Sequence, residues 1–226
     1  MSPKLLELCR ISFRYRLTRH TYSDPVLKGI NLSLDVGEVL VLTGPSGAGK
    51  STLLRLCNRL EDPSAGKILF RGVNTADMEP QALRKEIALI PQEPYLVAGT
   101  LRDNLLLPYD RHSPGRPEES RCREAMIAVG LSAGLLDRND ESLSVGERQR
   151  VSIARVLMMA PRIILMDEPT SALDQSNWEI LARTIRRING ERGIAFMVVT
   201  HLSQFAESLA GRPVVLRHGE IVNHHG

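Results

Sequence analysis

Two groups of residues could do chemistry together. The run Gly44, Pro45, Ser46, Gly47, Ala48, Gly49, Lys50, Ser51, Thr52 fits the pattern GxxxxGK[ST]. It sits between an apolar stretch that reads as a strand and a stretch that reads as a helix, the context this motif needs. Its glycines let the backbone curl so that successive N–H groups point inward at phosphate oxygens, and the helix that follows adds its positive end. Lys50 is placed to neutralise the β- and γ-phosphates of ATP, and the Ser51 hydroxyl to ligate Mg²⁺. An ordinary Gly/Ser turn would supply neither the full match nor the flanks. The second group is Asp167 and Glu168, which end the apolar run Ile163–Met166. A carboxylate pair after a strand is ordinarily a solvated turn, but beside a phosphate-binding loop it reads as catalytic. Asp167 would hold Mg²⁺ directly or through water, and Glu168 would polarise an attacking water as general base.

These residues need a frame. Short apolar runs alternate with helical patterns, which is the signature of an α/β fold on a largely parallel sheet. Strands are predicted at Leu5–Phe13, Leu27–Leu34, Glu38–Leu42, Gly66–Phe70, Glu86–Ile90, Ile163–Met166, Ile194–Val199 and Pro213–Leu216, several of them apolar on both faces as buried strands are. Helices are predicted at Lys50–Arg59, Glu118–Val129 and Arg148–Met159. Between Leu101 and Ala133 the apolar strands stop, and a Pro/Gly-rich break at Ser113–Pro117 precedes helical segments, so a helical insertion in the sheet domain is expected. No internal repeat, low-complexity tract or coiled-coil heptad run is visible.

The chain has 226 residues, within reach of one α/β domain, with 42% hydrophobic and 24% charged residues. That composition belongs to a globular protein and not to a disordered or fibrous one. The 29 basic and 26 acidic residues are spread along the chain, so a net charge of +3 gives no basic patch. Four Phe, four Tyr and one Trp are too few for base-stacking platforms. Nucleic acid is therefore not an expected partner. Cys9, Cys57 and Cys122 have no CxxC pairing and no metal-ligand spacing, and read as buried small hydrophobes in a reducing compartment. No stretch approaches the roughly 18–20 apolar residues that span a bilayer, and Met1–Arg10 does not look like a signal peptide. A cytosolic chain is expected, with any membrane role needing a partner.

Further motifs turn a generic phosphate-binding protein into a particular kind. Leu143-Ser144-Val145-Gly146-Glu147 precedes a long helical stretch, Ser171-Ala172-Leu173-Asp174 follows the carboxylates, Gln92 ends one strand and His201 ends another. Taken singly, such a glutamine is ordinarily solvated and such a histidine structural. Together, in this order and at these spacings, they resemble the nucleotide-binding domains of ABC (ATP-binding cassette) ATPases over essentially the whole chain. The resemblance implies a single domain over 1–226. Within it, a P-loop NTPase core with a mostly parallel sheet carries an N-terminal antiparallel β subdomain and a helical subdomain at about 93–160. It implies that Gln92 senses Mg²⁺ and the γ-phosphate, that Asp174 crosses a dimer interface and that His201 contacts the γ-phosphate. Ser144 and Gly146 would approach the nucleotide held by an opposite subunit. Tyr15 is the first candidate to stack on adenine and Tyr22 the second. Two positions depart from the family's common LSGGQ: Val145 stands for the first glycine and Glu147 for the glutamine. Glu147 would either repel the phosphates and weaken a closed dimer or point away.

The resemblance further implies an ATP hydrolase that drives a separate transmembrane permease through head-to-tail dimerisation with a second copy of itself. Such a subunit would sit peripherally on the cytoplasmic face of the cell membrane. Tyr95 and Leu96, between Gln92 and the helical insertion, would line the groove that receives the permease. With no long tail after the last predicted strand, no regulatory domain is expected. The chain looks similar to small stand-alone ATPase subunits of two-component bacterial systems, including those paired with metal-exporting permeases, which makes a metal ion one candidate cargo. The alternatives are a non-transport ABC ATPase acting on nucleic acid or ribosomes, and a nucleotide-binding module that does not hydrolyse.

Overall fold

The computed structural model describes residues 4–109 and 117–222, and the predicted alternation resolves there into two sheets. The first is antiparallel in its β1 pairings: β1 (Lys4–Phe13) lies between β2 (Leu27–Asp35) and β4 (Ala65–Phe70), with the short β5 (Val73–Asn74) beyond β4. The second carries the chemistry. In it β3 (Val39–Thr43), β6 (Ile87–Ile90), β7 (Ile163–Asp167), β8 (Ala195–Val199) and β9 (Arg212–Arg217) run parallel, and β10 (Glu220–Val222) closes the edge antiparallel to β9. The spatial order is β10-β9-β3-β8-β7-β6.

Alternate residues of these parallel strands feed two separate cores. Val39, Val41, Ala88, Ile90, Ile164, Met166, Phe196 and Val198 face one apolar cluster. Leu40, Leu42, Ile87, Ile163, Leu165, Ala195, Met197 and Val199 face the other. The two-residue side-chain period explains why these strands read as unbroken apolar runs. One face is covered by α1 (Lys50–Cys57) and the antiparallel sheet. The other is covered by the helices α3 (Leu101–Leu106), α4 (Glu119–Ala128), α5 (Val145–Met158) and α6 (Gln175–Arg192), with α7 (Ser203–Ser208) beside α6. The remaining helix, α2 (Pro80–Glu86), leads straight into β6, and like α6 and α7 it has no counterpart among the predicted helices.

Helices α3, α4 and α5 all lie between β6 and β7 in the chain. A buried amide ties their approach segment down. The Asn104 side chain takes the Val97 N–H at 2.9 Å and donates to the carbonyls of Val97 and Thr100 at 2.9 and 3.1 Å. Every hydrogen bond it makes is to backbone, which removes the penalty of burying an amide.

Several element ends differ from the sequence prediction for local reasons. Helix α1 stops at Cys57, not Arg59: Arg59 adopts a left-handed φ of 54°, and the N–H groups of Leu60 and Glu61 turn back to the Arg55 carbonyl. Helix α5 starts at Val145, three residues earlier than predicted, because Ser144 and Glu147 form a capping box. The strand predicted from Glu86 begins at Ile87, where α2 ends. Cys57 and Cys122 are buried as expected, and burial pushes the Cys57 thiol up to about 12, but Cys9 on β1 is partly exposed. The break predicted at Ser113–Pro117 lies, apart from Pro117, outside the described residues.

Candidate functional site: a phosphate cradle and two carboxylates at one sheet edge

All the parallel strands end at the same edge of the sheet, the position where open α/β sheets bind ligands. From the end of β3 the chain enters the loop Gly44–Gly49, whose crown, Pro45, Ser46 and Gly47, is exposed while Ala48 packs into the core below. Two of its glycines are dictated by geometry. Gly44 has φ 143°, and a Cβ there would lie 2.0 Å from the Leu216 carbonyl oxygen. Gly49 has φ 101°, and a Cβ would meet Leu27 at 2.8 Å. Lys50 opens α1 and is buried, its ammonium donating to the carbonyls of Gly44 and Pro45 at 2.8 and 3.0 Å. The cation therefore sits within the curl of the loop.

One residue further along, Ser51 donates to the Asp167 carboxylate at 3.0 Å, joining the loop to the end of β7 across 116 residues of sequence. Burial raises the Asp167 carboxyl above its ordinary value; the Ser51 hydrogen bond opposes that rise and the neighbouring Glu168 charge adds to it. Glu168 has a left-handed φ of 45°, a sparsely populated conformation for a residue with a side chain. Its N–H is held by the Val199 carbonyl at 3.0 Å. Its Oε2 lies 2.8 Å from His201 Nδ1 and accepts the His201 backbone N–H at 3.2 Å, while its Oε1 takes no hydrogen bond among the described residues. The Glu168 side chain is 14% exposed and that of His201 68%, so the pair spans the boundary between site and solvent.

Among the described residues no cluster of three or more His, Cys, Asp or Glu could hold a metal by itself. The donors present are the hydroxyl of Ser51 and the half-buried carboxylate of Asp167, 3.0 Å apart and beside a phosphate loop. They are hard oxygen donors, too few for an all-protein cage, which suits Mg²⁺ shared with phosphates and water. A divalent cation there would also offset the burial that disfavours the Asp167 charge.

The remaining predicted residues divide. Gln92 follows β6 by two residues, just as Glu168 follows Met166 on the strand paired with it (Ile90 opposite Met166), so both leave the sheet at the same edge; Gln92 is exposed there. Tyr15 is fixed beside the loop: its hydroxyl lies 2.8 Å from Thr52 Oγ1, and its ring meets Phe13 edge-on at 4.8 Å. Tyr22 lies in the bridge Arg16↔Tyr22 and is largely exposed.

Ser144, Gly146, Glu147 and Asp174 form a separate group at the N-termini of α5 and α6. Among the described residues no hydrogen bond connects them to the phosphate loop, Asp167 or Glu168. The Glu147 carboxylate accepts from the Ser144 N–H at 2.9 Å and from its hydroxyl at 2.8 Å, while Ser144 Oγ takes the Glu147 N–H at 3.3 Å. These bonds hold the Glu147 carboxyl below the usual glutamate range. Asp174 caps α6, one oxygen taking the Asn177 N–H and side-chain amide at 2.9 and 3.0 Å and the Ser176 hydroxyl at 2.9 Å. Val145, the first residue of α5, is exposed.

A cavity of about 530 Å³ lies between α2, the end of β6 and α5, lined by Leu60, Leu89, Pro91, Pro108, Val156 and Met159 and rimmed by Arg84 and Lys85. Tyr95 and Leu96 do not line it. Tyr95 is 68% exposed, its carbonyl accepting from Arg155 at 2.7 Å; Leu96 packs onto the helical core, and Asn104 holds the backbone of the next residue, Val97. No helix of the described residues is long and apolar enough to cross a membrane.

A phosphate-binding loop closed by a lysine, its serine bonded to a half-buried aspartate, and an adjacent glutamate paired with a histidine define a P-loop nucleotide hydrolase. The sequence profile described as ABC transporter matches residues 27–171. The chain is 38% identical over 176 residues to the probable iron export ATP-binding protein FetA of Escherichia coli (strain K12), covering 78% of each chain. It is 39% identical over 216 residues to the phosphonates import ATP-binding protein PhnC of Alcaligenes faecalis, covering 90% of this chain and 78% of that one. In structure it is similar to the ATP-binding cassette MJ0796, a dimer in a post-hydrolysis state bound to ADP and Pi, with a TM-score of 0.80, 30% identity, and 96% and 97% of the two chains covered. The chain belongs to the ABC transporter family, and it is an ATP-binding, ATP-hydrolysing cassette. The α/β architecture expected from the sequence agrees with that of these neighbours.

Proposed function

We propose that this cassette builds a complete hydrolytic site only when two copies meet head to tail around ATP, and that closure and reopening drive a separate transmembrane permease. The observation that carries the reading is the division of the site residues into two groups. The sheet edge holds Lys50, Ser51, Asp167, Glu168 and His201, while Ser144, Gly146 and Asp174 stand apart on the α5/α6 surface. In this reading the loop 44–52 cradles the phosphates through backbone N–H groups, Lys50 exchanges its carbonyl partners for the β- and γ-phosphates, and Tyr15 stacks on adenine from its anchor on Thr52. Ser51, Asp167 and Gln92 would hold Mg²⁺, which when bound neutralises charge on the phosphate oxygens. Glu168 takes the proton of the attacking water on Oε1, the oxygen left over by His201. His201, exposed enough to turn, holds Glu168 in place and reaches the γ-phosphate. The partner's copy of the α5/α6 surface covers that phosphate and excludes bulk water.

The permease would dock in the groove lined by Leu60, Leu89, Pro91 and Val156, since Pro91 adjoins Gln92 and links the docked segment to the nucleotide. Docked in this way, the cassette would sit peripherally on the cytoplasmic face of the membrane. The similar proteins are named for iron export and for phosphonates import. A metal-ion cargo fits the first and not the second, so cargo selection belongs to the permease.

Sedimentation of the Glu168→Gln variant with and without ATP tests the reading. An ATP-dependent shift from monomer to dimer supports it, and a variant that binds ATP yet remains monomeric counts against it.

A further inference from the structure

Asn177 is not one of the motif residues, yet it joins the two parts of the α5/α6 surface. Its side-chain amide and its backbone N–H both bond to Asp174 Oδ1, at 3.0 and 2.9 Å. On its other side it presses on α5. A Cβ built at Gly146 would lie 2.3 Å from Asn177 Oδ1, 2.7 Å from its Cγ and 3.3 Å from its Cβ. The whole side chain fills the space, so turning the terminal amide does not make room for a methyl group. Moving the side chain as a unit would break the bond to Asp174. Gly146 is also within the first turn of the helix capped by Ser144 and Glu147. A continuous set of short contacts therefore runs from Asp174 through Asn177 to Gly146 and Ser144.

We infer that Asn177 is a positioning residue, fixing the Asp174 loop and the Ser144–Glu147 loop in one register so that both reach the second subunit together. The inference rests on the head-to-tail reading above, in which both loops act on the partner's nucleotide. Among the described residues Asn177 makes no side-chain hydrogen bond to the chain's own phosphate cradle, its partner being Asp174. Its removal acts on association and turnover, not on the nucleotide affinity of an isolated subunit. Residues in one contact network couple energetically, whereas residues with no shared partner add.

The test uses the full chain in the Glu168→Gln background, following ATP-driven dimerisation by sedimentation and nucleotide binding by fluorescence titration. Adding Asn177→Ala raises the ATP concentration for half-maximal dimerisation by about five- to tenfold, with monomer nucleotide affinity and melting temperature little changed. Gly146→Ala alone weakens dimerisation more strongly, through collision with Asn177. Combined with Asn177→Ala it is no weaker than Asn177→Ala alone, because the methyl then occupies the vacated space. An Asn177→Ala variant that dimerises like its parent, or a double variant whose defect equals the two single defects combined, overturns the inference. A Glu168→Gln parent that stays monomeric overturns the head-to-tail reading and this inference with it; a dimerising parent isolates the failure to Asn177.

Discussion

The sheet edge and the α5/α6 surface treat their polar groups in opposite ways. At the edge, Ser51 on α1, Asp167 and Glu168 at the end of β7 and His201 beyond β8 come from distant parts of the chain and converge on one place. Their hydrogen bonds are long-range, part of the group is buried, and Glu168 holds an uncommon backbone conformation. On the α5/α6 surface, Ser144 bonds to Glu147 and Asp174 to Ser176 and Asn177, all within three residues. Such caps satisfy helix N-termini locally and leave a stable, exposed face. In the head-to-tail reading proposed above, strain and burial would mark the place where the chain does its own chemistry, and self-satisfied caps the face it offers to a second copy.

The comparison can be broken at either end. The largest effect is expected at Glu168. Glu168→Gln should lower turnover by about 100- to 10,000-fold, the range for losing a general base, while ATP still binds; steady-state phosphate release alongside nucleotide titration checks both halves, and near-normal turnover removes Glu168 from its role. Lys50→Ala comes next. It deletes the charge beneath the phosphates and should weaken ATP binding by about 10- to 100-fold, roughly 1.5–3 kcal/mol for charge-assisted contacts. Unchanged affinity in calorimetry would contradict the cradle.

Effects on the second surface should be smaller and appear elsewhere. Ser144→Ala should cost about 1 kcal/mol of stability as a lost cap, seen in urea unfolding, and should impair dimerisation without altering monomer affinity. Glu147→Gln is the most delicate case. Gln at this position can keep the capping box, so stability near neutral pH should change by no more than about 0.5 kcal/mol. The acid limb should differ. The lowered Glu147 carboxyl contributes stability that is present above the ordinary glutamate value of about 4.3 and is lost as pH falls through its lower folded-state value. Glu147→Gln should lack that loss, which unfolding curves between neutral pH and pH 3 would reveal. If the Glu147 charge also opposes the phosphates of a partner's ATP, dimerisation should tighten modestly.

What the sequence made legible follows the same division. The loop 44–52 and the pair Asp167–Glu168 are contiguous motifs beside strands, so type, spacing and context could be read together. The parallel strands were legible because their two-sided burial leaves unbroken apolar runs. That Ser51 and Asp167 converge was legible from their two motifs read together, but their direct hydrogen bond and the pairing of Glu168 with His201 were not, since both depend on strand order, which no local pattern encodes. The fate of Glu147 was open in sequence because a carboxylate near phosphates and an N3 capping residue look alike until the helix start is fixed at Val145. The three-residue step from Asp174 to Asn177 was a visible signal of a helix cap, but its contact with Gly146 requires knowing that α5 and α6 meet. Which of Tyr95 and Leu96 faces outward was not legible either, because apolarity along a loop says nothing of which way each side chain turns: Tyr95 is exposed and Leu96 packs onto the helical core.

The central claim, that neither surface hydrolyses ATP without the other from a second copy, is tested most directly by measuring ATP turnover per subunit over a wide range of protein concentration at saturating ATP. Turnover per subunit should rise steeply with concentration and level off once the dimer dominates. A constant turnover per subunit, down to concentrations at which sedimentation shows only monomer, would contradict it.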